Sequence, residues 1–135
     1  ALGDVVDPAT GKTVAGARRS PVSREFADTA QAMKRGVRGG FRAYNTTLVV
    51  VATNARLSKV EAKKLAEQSQ VGMARTIRPV HTRSDGDLVI ALSLGEAKAD
   101  PDALGVAAAE AVAQAVLRAV RAAPSLGGVP GLGGG

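Results

Sequence analysis

A chain of 135 residues is long enough for one domain with its own core, but two Phe, one Tyr and no Trp require that core to be aliphatic and alanine-rich. The absence of cysteine excludes a disulfide framework and any Cys-ligated metal, and leaves cytoplasm as no more than a default expectation. The net charge of +6 is concentrated between Arg18 and Arg42, where Arg18, Arg19, Arg24, Lys34, Arg35, Arg38 and Arg42 stand against Glu25 and Asp28. Such a stripe suits phosphate backbones, yet Phe26 and Phe41 are its only stacking candidates, and Gly36, Gly39 and Gly40 break any regular presentation. A solvated connecting segment is expected there, with no nucleic-acid partner.

The chain opens with Ala1-Leu2-Gly3-Asp4 rather than Met, as if inside the end of a strand, which points to a processed product or a piece of a longer precursor. Asp4-Val5-Val6, a Pro8 and Gly11 turn, and Thr13 to Gly16 predict a hairpin. Ser23 to Lys34 has helical composition, with Phe26, Ala30 and Met33 on one face, although its glycine and arginine surroundings make it marginal. The chain then divides at Asn45-Thr46. Thr46 to Thr53 predicts a strand whose uniformly apolar middle, Leu48 to Val51, implies cover on both faces.

Ser58 followed by Glu61 predicts a capping box opening a helix. Its core face is Ala62, Leu65, Ala66, Ser69, Met73 and Ile77, and Pro79 ends the run. A polar loop, Val80 to Asp87, leads into a second buried-type strand, Leu88 to Leu92. Asp100 and Pro101 then start an alanine-rich helix whose polar stripe, Glu110, Gln114, Arg118 and Arg121, leaves most of the circumference apolar and packed. No run of about 20 apolar residues and no basic-then-apolar opening is read, so no membrane partner is expected. A Gly-rich tail, frayed in expectation, runs over residues 125–135.

Two polar clusters thus stand at the entrances of two apolar strands, Asn45-Thr46-Thr47 and Ser84-Asp85-Gly86-Asp87. Each is an ordinary strand start or turn. Brought together they would also meet a chemical need: a Thr hydroxyl is a weak nucleophile until something takes its proton, and a free α-amino group, with a reference pKa of about 7.7 to 8.0, can do so. A chain break before Thr46 would create that base.

The stretch NTTLVVVATNARLSKVEAKKLAEQSQVGMARTIRPVHTRSDGDLVIAL resembles the carboxy-terminal part of the L-aminopeptidase/D-esterase family of self-processing N-terminal nucleophile peptidases, and most of all its nylon-oligomer hydrolase-like members. Asn-Thr-Thr before an apolar strand, Ala-Thr-Asn after it, Arg-Pro-Val-His-Thr and Asp-Gly-Asp occur in the order such members share, from Asn45 to about Leu94; ALGDVVDPATGKTVAGAR resembles the strand and hairpin before their processing site. The resemblance implies an α+β fold, a layered α-β-β-α sandwich. In that frame residues 1–45 end the α-part with hairpin and basic linker, and residues 46–124 form the β-part. It further implies a processing site at Asn45-Thr46, Thr46 as catalytic nucleophile toward an amide or ester through an acyl-enzyme, and Asp85 and Asp87 as the acidic pair that orients it. No cofactor is implied. The implied partners are the upstream α-part of the same precursor and a peptide or other small amide, with αβ units assembled into an oligomer.

The family's oxyanion Asn and its Tyr and Lys contributors lie in sequence that would precede Ala1, so this chain is not expected to be active alone. A Thr46/His81/Asp85 triad can be drawn, but the proposed amine already supplies a base. One His with scattered Asp lacks metal-ligand spacing, Tyr44 is expected to pack beside the processing site, and Gly39-Gly40 is followed by no phosphate-loop Lys. Two rival functions are a noncatalytic basic α+β interaction module and an acyltransferase on the same fold.

Overall fold

The computed structural model describes residues 1–37 and 45–133. Arg38, Gly39, Gly40, Phe41, Arg42 and Tyr44, and with them the last two basic residues of the stripe, lie outside the described residues. The chain is mixed α and β. Strands β1 (Asp4–Val6) and β2 (Thr13–Ala15), helix α1 (Thr29–Lys34), strand β3 (Leu48–Ala55), helix α2 (Lys59–Thr76), strands β4 (Ile77–Arg78) and β5 (Leu88–Ala97), and helix α3 (Pro101–Ala122) follow in order. One antiparallel sheet has the order β2-β1-β4, and β3 pairs with β5 in parallel.

The expected hairpin is β1–β2, and its first strand also pairs with β4, so the opening segment is stitched to the end of α2. Asp4, 4 % exposed, fixes that corner: its carboxylate accepts from Thr29 N–H and Thr29 Oγ1, each at 2.7 Å, and from Ala17 N–H at 3.1 Å. A buried carboxylate is tolerated when donors of this kind replace its water. The helix expected from Ser23 begins only at Thr29, because Asp28 caps it and turns the chain with φ 54° while Phe26 is engaged in a bridge with Arg18.

Helices α2 and α3 start where their caps place them. Ser58 and Glu61 form the reciprocal box, and Asp100 accepts from Asp102 and Ala103 N–H ahead of Pro101. The two helices pack on each other through small residues, Ser69 and Gly72 on α2 facing Gly105, Ala108, Ala109, Val112 and Ala113 on α3. Met73, Ile77, Val89 and Val112 form the centre of the core, with Val49 and Val51 packed against it.

Burial alternates along the strands instead of being continuous. Val49, Val51 and Val89 face the helices, whereas Leu48, Val50, Leu88, Ile90, Leu92 and Leu94 lie on the other face and are between 39 % and 72 % exposed. Cover on both faces, as the apolar runs predict, is therefore present on one face only among the described residues. Helix α3 also departs from expectation. Its packed face is narrow, Val106 is 61 % exposed, and by length and composition it is apolar enough to cross a membrane, its alanines raising hydropathy without forming a run of large side chains. The tail is not frayed through residue 133: Leu126 and Val129 bridge each other, Ser125 Oγ accepts from Gly131 N–H, and Gly133 N–H donates to Ala123.

A Cβ at Gly72 would collide with the backbone oxygen of Ala109 and lie 2.8 Å from Val112 Cβ. Gly72→Ala is expected to destabilise the protein by about 1 to 3 kcal/mol through overpacking, even though Ala is favoured over Gly in a helix by roughly 1 kcal/mol. Urea denaturation of the whole protein checks this; a stabilised variant would mean that α2 and α3 do not meet at Gly72.

Candidate active site

In the parallel pair, Leu48 lies opposite Leu88 and Val49 opposite Val89. The same register continues into the polar strand mouths: Asn45 bridges Asp85, Gly86 N–H donates to the Asn45 carbonyl at 3.0 Å, and Leu88 N–H donates to the Thr47 carbonyl at 3.0 Å. The two clusters singled out in the sequence, 39 and 41 positions apart when counted from Thr46 to Asp85 and Asp87, thus form one end of one sheet.

Their side chains divide between the two faces, because successive strand residues point to opposite sides. Thr46 is exposed, on the side carrying Leu48 and Val50, and its Oγ1 sits against Gly86, where a Cβ would come within 2.9 Å of it. Among the described residues the Thr46 hydroxyl makes no hydrogen bond. Asp87 belongs to the helix-covered side, its side chain 1 % exposed. Its Oδ1 accepts from the Ala1 nitrogen at 2.7 Å and from Thr47 N–H at 2.8 Å, and its Oδ2 from His81 N–H at 3.3 Å. The Ala1 nitrogen also reaches Thr47 Oγ1 at 2.7 Å. Asp85 Oδ2 accepts from Thr82 N–H at 2.8 Å, while its Oδ1 is buried without a hydrogen bond among the described residues.

Asp87 therefore grips the backbone of Thr47, one residue beyond Thr46. Thr47, Gly86 and the backbone N–H of His81 are members of the site that sequence reasoning passed over. The first two lay inside the motifs already marked and could have been separated by period-2 alternation; the third depends on a loop conformation. His81 has a φ of 54°, unusual for a non-glycine residue, and this turns its N–H toward Asp87 and leaves its Nδ1 3.6 Å from Asp87 Oδ2. The sole histidine reaches Asp87 of the acidic pair and, among the described residues, makes no hydrogen bond to Thr46. Among the described residues no group of three or more His, Cys, Asp and Glu could hold a metal.

The model for peptidase family S58 matches residues 7–132. The chain belongs to peptidase family S58. An uncharacterised aminopeptidase of Mycobacterium leprae is 41 % identical over 150 residues, covering 96 % of this chain and 40 % of that protein. Another uncharacterised aminopeptidase, from Mycobacterium tuberculosis, is 38 % identical over 152 residues, covering 96 % of this chain and 44 % of its own length. A 6-aminohexanoate-oligomer endohydrolase of Kocuria is 34 % identical over 119 residues, covering 78 % of this chain and 32 % of that enzyme. The chain spans less than half the length of these relatives.

Burial, the largest single influence on Asp87, raises its pKa; the hydrogen bonds from the nitrogen at position 1, Thr47 N–H and His81 N–H outweigh it and hold the carboxyl below its ordinary 3.8. A carboxyl lowered on folding contributes stability that is complete above its unfolded pKa and is lost as pH falls through the lowered value. Asp87→Asn is accordingly expected to be less stable than wild type at neutral pH, with the difference shrinking as pH falls below 3.8. Denaturant midpoints of both proteins across the acid range measure it, and a difference independent of pH would deny the carboxylate this role.

Proposed function

We propose that the chain is the carboxy-terminal part of a self-processing amide hydrolase of the S58 family, in which Thr46 becomes an N-terminal nucleophile once the Asn45-Thr46 bond is broken. The observation that carries this reading is the placement of Thr46 Oγ1 against side-chain-free Gly86, at the strand mouth where Asp85 and Asp87 also stand. In the processing step, Thr46 Oγ attacks the Asn45 carbonyl carbon, the C–N bond gives way, and the hydroxyl proton passes to the Thr46 nitrogen. Water then cleaves the ester, leaving a carboxylate on Asn45 and a free amine and hydroxyl on Thr46. In the mature enzyme that amine takes the hydroxyl proton as Thr46 attacks an amide, forming an acyl-enzyme that water releases.

The acidic pair divides the supporting work. Asp87 acts through the Thr47 backbone, holding the residue next to the nucleophile in register. Asp85, with one buried oxygen uncommitted among the described residues, is the acceptor for the new ammonium. The apolar face of Leu48, Val50, Leu88 and Ile90 packs against a second sheet from the upstream part of the precursor, completing an α-β-β-α sandwich and bringing the oxyanion donors and most of the substrate pocket. The substrate class is a peptide or other small amide, in keeping with relatives named aminopeptidase and oligomer endohydrolase, and αβ units assemble into an oligomer.

Intact-mass measurement of freshly made full-length precursor tests the reading. Wild type is expected to yield a fragment beginning at Thr46, and Thr46→Ala to stay whole and inactive. Thr47→Ala, whose hydroxyl belongs to the Asp87 side, is expected to retain cleavage within about tenfold, a general-base contribution being worth ~100-fold or more. A Thr46→Ala precursor that still cleaves, or a Thr47→Ala precursor that does not, would move the nucleophile elsewhere.

His81 provides a second test. Because its backbone N–H rather than its ring holds Asp87, His81→Asn, which accepts the same left-handed backbone, is expected to leave processing and hydrolysis within a few-fold of wild type. A loss of about 100-fold or more would instead make the imidazole the base.

A further inference from the structure

Gly86 meets the reacting atoms of the proposed processing step in two ways. Its N–H donates at 3.0 Å to the Asn45 carbonyl oxygen, the oxygen that becomes negative when Thr46 Oγ attacks that carbonyl. Its missing side chain leaves the space in which Thr46 Oγ1 lies, a Cβ there falling only 2.9 Å away. Resting on the Thr46 reading given above, we infer that Gly86 is a catalytic residue of self-cleavage, with its backbone N–H as an oxyanion donor and its bare α-carbon as the seat of the attacking hydroxyl.

The bond is also an ordinary rung of a parallel ladder, and that is the source of its usefulness. A rung fixed on both sides by strand pairing is already aimed before charge develops, so it needs no reorganisation when the carbonyl carbon becomes tetrahedral. As the Thr46 oxygen–carbon bond forms, the carbonyl electron pair moves onto the Asn45 oxygen beneath the Gly86 N–H. As that pair returns, the bond to the Thr46 nitrogen breaks and the nitrogen takes the proton. The donor belongs to the described chain and is distinct from the oxyanion groups expected upstream, which would serve the hydrolysis of external substrates. Any other residue at position 86 would crowd the hydroxyl, and all but proline would keep the N–H.

The two roles can be separated in the full-length precursor. Replacing Gly86 by glycolate through protein ligation turns the amide between Asp85 and residue 86 into an ester and removes the N–H without adding an atom near Thr46. The fragment beginning at Thr46 is then expected to appear roughly 100 to 1,000 times more slowly, the range for loss of one oxyanion donor. Gly86→Ala keeps the donor but displaces Thr46 Oγ1, and is expected to slow the same step; hydroxylamine, which breaks the ester intermediate, should not restore its rate, because the acyl shift precedes that intermediate. Melting temperatures close to that of the uncleavable Thr46→Ala precursor separate these effects from misfolding. Cleavage of the glycolate protein within threefold of wild type would overturn the donor role, and unimpaired cleavage of Gly86→Ala would overturn the steric one. If wild type itself never cleaves, the Thr46 reading falls and takes this inference with it, whereas cleaving wild type beside insensitive Gly86 variants removes the inference alone.

Discussion

The parallel pairing of β3 with β5 at Leu48 opposite Leu88 is the constraint from which the site follows. Side chains alternate with a period of 2, so a shift of one residue would move Asp87 to the exposed face and Val89 out of the core. The buried positions of Val49, Val51 and Val89 against Met73 and Val112 resist that shift. Hydrophobic packing in the middle of the strands thereby decides which polar groups meet at their mouths. The same register lays Gly86 N–H on the Asn45 carbonyl and sets Asp87 beside Thr47 N–H. The proposed catalytic arrangement therefore needs no dedicated scaffold: it is the continuation of a core.

Small residues between the helices give that core its shape. Gly72 and Gly105 let α2 and α3 approach closely enough for their backbones and short side chains to touch, and the pair then covers one face of the two-stranded sheet. Two strands make a marginal sheet unless further strands or helices support them. Here the helices support one side, the other side is a continuous apolar surface of Leu48, Val50, Leu88, Ile90, Leu92 and Leu94, and the outer edge of β3 faces a groove of about 290 Å³ lined with Val112, Ala115, Val116 and Ala119. Thr46 belongs to that open apolar side. In the proposed enzyme, docking of the upstream sheet would bury the surface and enclose the nucleophile in one event, which couples assembly of the sandwich to completion of the active site.

What could be read from the sequence was whatever local chemistry decides. The Ser58–Glu61 box, the Asp100 cap with Pro101 and the Pro8 and Gly11 hairpin turn need only neighbours in the chain, and each occurs where its pattern puts it; the two apolar strands occur as well, but β3 begins at Leu48 and ends at Ala55, and β5 runs on past Leu92 to Ala97. The start of α1 was less legible, since Phe26 is held in a long-range bridge with Arg18 and the cap at Asp28 uses a left-handed backbone that composition does not announce. Continuous apolar runs in β3 and β5 say that both faces avoid water, not which partner covers each. The convergence of Asn45-Thr46-Thr47 with Asp85-Gly86-Asp87 could be suspected from the motifs, but the choice of Thr47 as the partner of Asp87 and the part taken by His81 N–H come from register and loop geometry.

The two carboxylates illustrate how one motif can supply unlike groups. Asp87 is nearly inaccessible and surrounded by donors on both oxygens, so it is held ionised despite its burial and acts as a fixed anchor. Asp85 commits one oxygen to Thr82 N–H and keeps the other buried without a hydrogen bond among the described residues. An unsatisfied buried acceptor is destabilising by roughly 1 to 3 kcal/mol, and in a native structure such a group is explained by stored strain, a catalytic role or a bound water or ion. In the proposed reaction, cleavage at Asn45-Thr46 turns an amide into a cation at the strand mouth that Asp85 shares through its bridge with Asn45, and this oxygen is proposed to receive it. Formation of the new amino terminus would then relieve a strain already present in the uncleaved chain, and the same contact would hold the amine beside the Thr46 hydroxyl it must deprotonate.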